Sequence, residues 1–186
     1  GFIAANIQVI EVLPAARAHV SQQFGVRCAA DATELETLGD VVVMAVKPQQ
    51  MRQAANAVRN RLGNAIVLTI AAGIRLTDLS RWLGGATALV RCMPNTPALI
   101  GEGITAAYAA PDVDATRRAD ADVILAPAGK LVWVDSEALL DPVTAVSGSG
   151  PAYVFYFIEA VQEAAIKLGL TPATARALTL QTFRGA

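Results

Sequence analysis

A chain of 186 residues, 54% hydrophobic and 17% charged, is long enough for one ordinary domain, or one domain plus part of another, and its composition excludes disorder. With 15 Lys plus Arg against 16 Asp plus Glu the formal net charge is −1, so there is no basic excess to neutralise a phosphate backbone and nucleic acid is not an expected partner. Mean hydropathy is +0.43, yet apolar stretches such as Val41 to Val46 and Tyr153 to Ile158 fall short of the roughly 18 residues of a bilayer span, so a soluble chain with no membrane partner is expected.

Taken in order, Ile7 to Val12 predicts a short strand ended by Leu13-Pro14, and Pro14 suits the first turn of a helix running through Phe24 to Gly25. His19, the only histidine, falls on the exposed face of that helix. Asp31 to Glu34 resembles a capping box opening a short helix over Thr33 to Leu38. The β-branched run Asp40 to Val46 has no alternation, as in a strand buried on both faces of a parallel sheet. Beyond Lys47-Pro48-Gln49, the spacing of Met51, Ala54, Ala55, Val58 and Leu62 predicts an amphipathic helix. Strand Ala65 to Ile70, the small-residue turn Ala71-Ala72-Gly73, a helix capped by Thr77 and reaching Leu83, and strands Ala88 to Met93 and Ile104 to Ala109 follow. Asp114 to Ala126 reads as helix and Lys130 to Val134 as the last strand. Strands alternating with helices of this length predict an α/β fold with a doubly wound Rossmann-type parallel sheet.

At Ser147-Gly148-Ser149-Gly150-Pro151 the character changes to a turn cluster, followed by a helix from Ala152 to Leu168 and a second helix capped by Thr171. Two domains are therefore expected: 1–146 binding a dinucleotide and 147–186 beginning an all-helical domain. Tyr153, Phe155, Tyr156 and Phe157 surround the start of the first of these helices, which marks it as deeply buried or as part of an interface.

The residues that could carry chemistry follow strand ends, where a doubly wound sheet binds ligands. Glu11 ends the first strand and is placed to accept from an adenosine ribose, or is a solvated edge carboxylate. Lys47 offers a cation near a pyrophosphate or ribose, and Ala71 to Gly73 let a flat ring approach the backbone. Asn95, between Pro94 and Pro97, can donate and accept toward a ligand or form a structural Asx turn. Cys28 and Cys92 give neither a disulfide framework nor a metal spacing, so no metal and a reducing, cytoplasmic compartment are expected. No glycine-rich loop of the dinucleotide type follows any strand. With Gly1 in place of Met, the chain reads as an internal fragment: Gly1 to Ala5 as the tail of a helix after such a loop, Ile7 to Val12 as the second strand of the fold.

The segments AVKPQ (45–49), IAAGI (70–74), VRCMPNTPALIGEG (90–103) and VTAVSGSGPAYVF (143–155) together resemble pyrroline-5-carboxylate reductase, in order along the whole chain. The resemblance implies reduction of Δ1-pyrroline-5-carboxylate to L-proline by hydride from NADPH or NADH, the last step of proline biosynthesis. It implies a homodimer or higher homo-oligomer built on the helical domain. It places Glu11, Ala45, Val46, Lys47, Pro48, Ala71, Ala72, Gly73 and Asn95 along the cofactor, and Ser147, Gly148 and Ser149 at the substrate, with no catalytic side chain assigned. Ile10 and Val12 around Glu11 depart from the family's phosphate-suited residues, which favours NADH unless Arg17 compensates, and Ala32 stands where many relatives have asparagine. A catalytically silent dinucleotide-binding protein of the same fold is the alternative. The 186 residues by themselves are not expected to turn over.

Overall fold

A strand β1 (Gln8–Ile10), a helix α1 (Pro14–Phe24) and a strand β2 (Arg27–Ala29) open the computed structural model, which describes residues 2–186; Gly1 lies outside them, and Ala4–Asn6 form a 3-10 turn. Pro14 takes the first helical position of α1, where its missing N–H costs nothing, and Gly25 ends the helix with φ +65°. β1 and β2 pair in parallel, Val9 opposite Cys28, as a sheet of their own. β2 was not foreseen, because three residues with no alternation carry no periodic signal. The expected helix over Thr33 to Leu38 shrinks to a 3-10 turn at Ala32–Glu34, although Asp31 caps it as anticipated by accepting from Thr33 N at 2.8 Å.

A five-stranded sheet follows in the order β3 (Val41–Met44), β4 (Ile66–Thr69), β5 (Leu89–Met93), β6 (Gly103–Ala109), β7 (Gly129–Trp133). β3, β4 and β5 are parallel, as the unbroken apolar runs predict. β6 is the exception to the expected parallel sheet: it runs antiparallel to β5, Cys92 opposite Ala107, and β7 runs parallel to β6. The short return through the 3-10 turn Thr96–Ile100 leaves no room for a crossover helix, so reversal is the connection available. The reversal brings the start of β6 to the carboxyl end of β5.

Helices α2 (Pro48–Val58) and α3 (Leu76–Trp82) cover one face of this sheet and α4 (Ala115–Leu125) the other. The striped residues Met51, Ala55, Val58 and Leu62 are buried against Val67 and Leu89, with Leu79 beside them. The alternate residues Ile66, Leu68, Val90 and Cys92 face Ala121 and Leu125. Each large apolar side chain so buried contributes about 1.5–3 kcal/mol. On the α4 side Trp133 Nε1 donates to Asp122 at 2.8 Å while the Arg118 guanidinium lies 4.3 Å from its ring centre.

The expected loop at Ser147 to Pro151 is replaced by helix. Residues 140–167 run as α5 (Leu140–Val143), a π-helical turn (Thr144–Gly148) and α6 (Gly150–Lys167), so the anticipated boundary at 147 falls inside helical structure. The last helix, α7 (Pro172–Gly185), begins where Thr171 accepts from Thr174 N and packs on α6, with Phe157 edge-on to Phe183 at 5.8 Å. No helix among the described residues is long and apolar enough to cross a membrane.

Candidate functional site

Because β3, β4 and β5 are parallel, the three segments that follow them open at one end of the sheet: 45–48 before α2, 70–75 before α3, and 94–95. Pro48 is the first residue of α2, so its fixed φ lets the chain turn from strand to helix at once, and exposed Lys47 stands at the N-cap. Ala45 is exposed, while Val46 and Pro48 are half-buried. In the next turn Ala71 is buried and its N–H donates to Thr69 Oγ1 at 3.3 Å, whereas Ala72 and Gly73 are exposed. Gly73 has φ +74°, a conformation that a side chain would strain, and open space on its outer side.

Asn95 is used within the chain on both sides of its amide. Oδ1 accepts from Ile104 N at 3.0 Å, fixing the start of β6, and Nδ2 donates to the Ser147 carbonyl at 3.2 Å. That carbonyl is available because Pro151, four residues on, has no N–H to return to it. Asn95 thus replaces the missing helical bond and seats the π-helical turn against the carboxyl end of β5, where Met93 Sδ approaches Gly148. The π register itself is set by Ser149 N donating to Thr144 O at 2.8 Å. Inside the turn the Ser147 hydroxyl donates to Val143 O at 3.1 Å and the Thr144 hydroxyl to Leu140 O at 2.7 Å, and Tyr153 Oη donates to Ala145 O at 2.9 Å. Ser147, Gly148 and Ser149 are half-buried.

Glu11 sits apart from these segments, at the end of β1. Its carboxylate accepts from Leu13 N at 2.8 Å, and Arg17 donates to the Glu11 carbonyl at 2.6 Å, which puts a cation beside the anion at this corner. The structure therefore brings together the 45–48 and 71–73 segments, Asn95 and Ser147 to Ser149, and leaves Glu11 on the separate two-stranded sheet.

Cys92 lies on β5 next to this end, but burial pushes its thiol up to about 12, so it is neutral and unreactive at physiological pH. No group of three or more His, Cys, Asp or Glu among the described residues could hold a metal ion. What the arrangement offers is shape: exposed small residues and backbone beside a polar, hydrogen-bonded helical turn.

Sequence reasoning missed one set of partners. Buried Arg91 donates through Nη1 to Glu137 Oε1 at 3.1 Å and through Nη2 to Asp141 at 3.4 Å. The same Glu137 oxygen accepts from Leu76 N at 2.8 Å, capping α3 from 61 residues away in place of the expected Thr77. The available signal was Arg91 itself, a lone charge inside the apolar run Ala88 to Met93.

Residues 137–186 match the family described as pyrroline-5-carboxylate reductase dimerisation, and residues 1–73 match NADP oxidoreductase coenzyme F420-dependent. The pyrroline-5-carboxylate reductase of Pseudomonas aeruginosa is 42% identical over 187 residues, an alignment that takes in 100% of this chain and 68% of that protein. Among solved structures, a pyrroline-5-carboxylate reductase from Coxiella burnetii superposes with a TM-score of 0.86 at 33% identity, covering 98% of this chain and 78% of that one. The Plasmodium falciparum pyrroline carboxylate reductase with NADP bound gives 0.82 at 27% identity, covering 100% and 78%.

Proposed function

Because the chain belongs to the pyrroline-5-carboxylate reductase family, we propose that the end of the sheet carrying 45–48, 71–73 and Asn95 is where it reduces Δ1-pyrroline-5-carboxylate to proline with NAD(P)H. The observation that carries this reading is the Asn95 to Ser147 bond, which joins the nucleotide-facing loops to the helical turn. The residues fit a dinucleotide: exposed Ala45 and Ala72 and the open left-handed Gly73 admit a flat ring against backbone, and Lys47 at the start of α2 offers positive charge to a diphosphate. When bound, the nicotinamide supplies the hydride.

The chain's own residues position and desolvate. Ala71 to Gly73 hold one ring by shape, while Ser147 to Ser149 offer hydroxyls and backbone to the carboxylate and imine of the other. The Ser147 hydroxyl donates inward and keeps its lone pairs for a protonated imine nitrogen. Asn95 holds the spacing between the two sets. Face-to-face placement of two rings with water excluded lowers the barrier with no side-chain nucleophile, in keeping with the neutral thiol of Cys92.

At the other end of the dinucleotide, Glu11 accepts from a free ribose 2′-hydroxyl and repels a 2′-phosphate, and the Arg17 guanidinium beside it offsets part of that repulsion, which leaves a modest preference for NADH. A homodimer through the helices, in a cytoplasm where Cys28 and Cys92 stay reduced, completes the reading.

Steady-state reduction of pyrroline-5-carboxylate by the intact enzyme, with NADH and NADPH compared, tests it. Turnover with kcat/KM higher for NADH is expected, and Glu11→Gln should move the ratio toward NADPH by about tenfold, roughly the worth of one charge contact. A folded protein that binds the dinucleotide and reduces nothing would instead be the silent relative.

A further inference from the structure

Arg91 stands out in the core as a buried cation with only 3% of its side chain exposed, on a strand whose other residues are all apolar. A well-packed apolar side chain there would be at least as stabilising, because desolvating a guanidinium costs several kcal/mol and its Nε finds no partner. What the arginine provides is a fork. One arm meets Glu137 Oε1, which also receives Leu76 N, the first N–H of α3 and the point where the 70–75 turn ends. The other arm meets Asp141 in α5, three residues before the π-helical turn starts. Along the chain Arg91 lies four residues before Asn95, which follows the end of β5. One guanidinium therefore touches the supports of both the 71–73 turn and the 147–149 turn.

We propose that Arg91, through Glu137 and Asp141, is a positioning residue that sets the distance between the hydride-donor ring and the substrate, an inference that rests on the site reading above. The fork is planar and bridges two carboxylates, so it fixes direction as well as separation, which a lysine cannot do. Glu137 transmits that setting to the cofactor side by holding the start of α3, while Thr69 Oγ1 holds the other side of the same turn.

The test compares the intact enzyme with Arg91→Lys, Arg91→Met and Glu137→Gln, reading kcat, both KM values, the primary isotope effect with C4-deuterated NADH, and the thermal midpoint. The expected result is a fall in kcat of about tenfold or more for both Arg91 variants and a smaller fall for Glu137→Gln, because slight misplacement of reacting groups is costly. KM for the dinucleotide stays within about twofold and the isotope effect rises as hydride transfer becomes rate-limiting. If the Arg91 variants do not fold, Glu137→Gln carries the comparison, since the amide oxygen it introduces can still accept from Leu76 N and the position is partly exposed. An unchanged kcat, or a loss that tracks the folded fraction with the isotope effect at its original value, overturns the proposal. Failure of the unsubstituted enzyme to reduce pyrroline-5-carboxylate would count against the site reading instead.

Discussion

Asn95 shows how one side chain serves three parts of the fold: it follows β5, receives β6 and accepts the vacancy that Pro151 leaves in a helix 52 residues on. Its position after a strand and between prolines was legible in the sequence; its partners were not, because a bond at that separation leaves no local trace. The same holds for Arg91, visible as an anomaly in an apolar run but without an address for its charge. Cys92 offers the sequence only a place in an apolar run, and the structure buries it completely. Its neutral thiol has a pH consequence. The folded value of about 12 lies above the ordinary 9.0, so the stability it carries is complete below pH 9 and is lost as pH rises from there toward 12, where the unfolded chain ionises first. Urea unfolding at pH 8 and pH 10.5 should show the drop, up to about 1.4 kcal/mol per pH unit, and Cys92→Ala should flatten that component. Equal alkaline slopes in the two proteins would exclude it.

At the level of elements, long runs with a clear period were legible and short or interrupted ones were not. Pro14 and the Thr171 cap predict α1 and α7 nearly to the residue, while the Met51 to Leu62 stripe finds α2 but overruns its end at Val58 by four residues. The glycines and proline at 148–151 point to a turn, yet a π-helical register tolerates them because Asn95 supplies the bond that Pro151 cannot. A different glycine pair fixes the β6–β7 ladder. A Cβ at Gly129, where φ is +125°, would come within 2.1 Å of the Gly103 carbonyl oxygen, and one at Gly103 within 2.5 Å of the Ala128 oxygen. Both obstacles are backbone, so Gly129→Ala is expected to destabilise by about 3 kcal/mol or more, read as a lowered midpoint in thermal or urea unfolding. Gly185→Ala, with open space at its Cβ, should lie within about 0.5 kcal/mol of the parent.

Over the whole molecule, the uneven coverage of α6 matters most. Tyr153, Phe155, Tyr156 and Phe157 are 57%, 62%, 75% and 61% exposed, far more apolar surface than a helix leaves to water without a partner. The match of 137–186 to a dimerisation family gives the reason: homo-oligomerisation through this helical part. Tyr156→Asp should weaken self-association of the intact enzyme by about 2 kcal/mol or more, seen by sedimentation as a shift to monomer with unchanged helix content. A dimer that persists at the same concentration would remove that residue from the contact. The π-helical turn ahead of α6 adds a constraint on this surface. A π turn accommodates one residue more than an α-helical turn would, so winding 144–148 as α-helix with every residue kept would swing every later side chain of α6 by about 100° about the helix axis. The bearing at which a second copy can dock is thereby geared to the same turn that Asn95 clasps, and no substitution that regularises that helix can leave the compass of the assembly untouched.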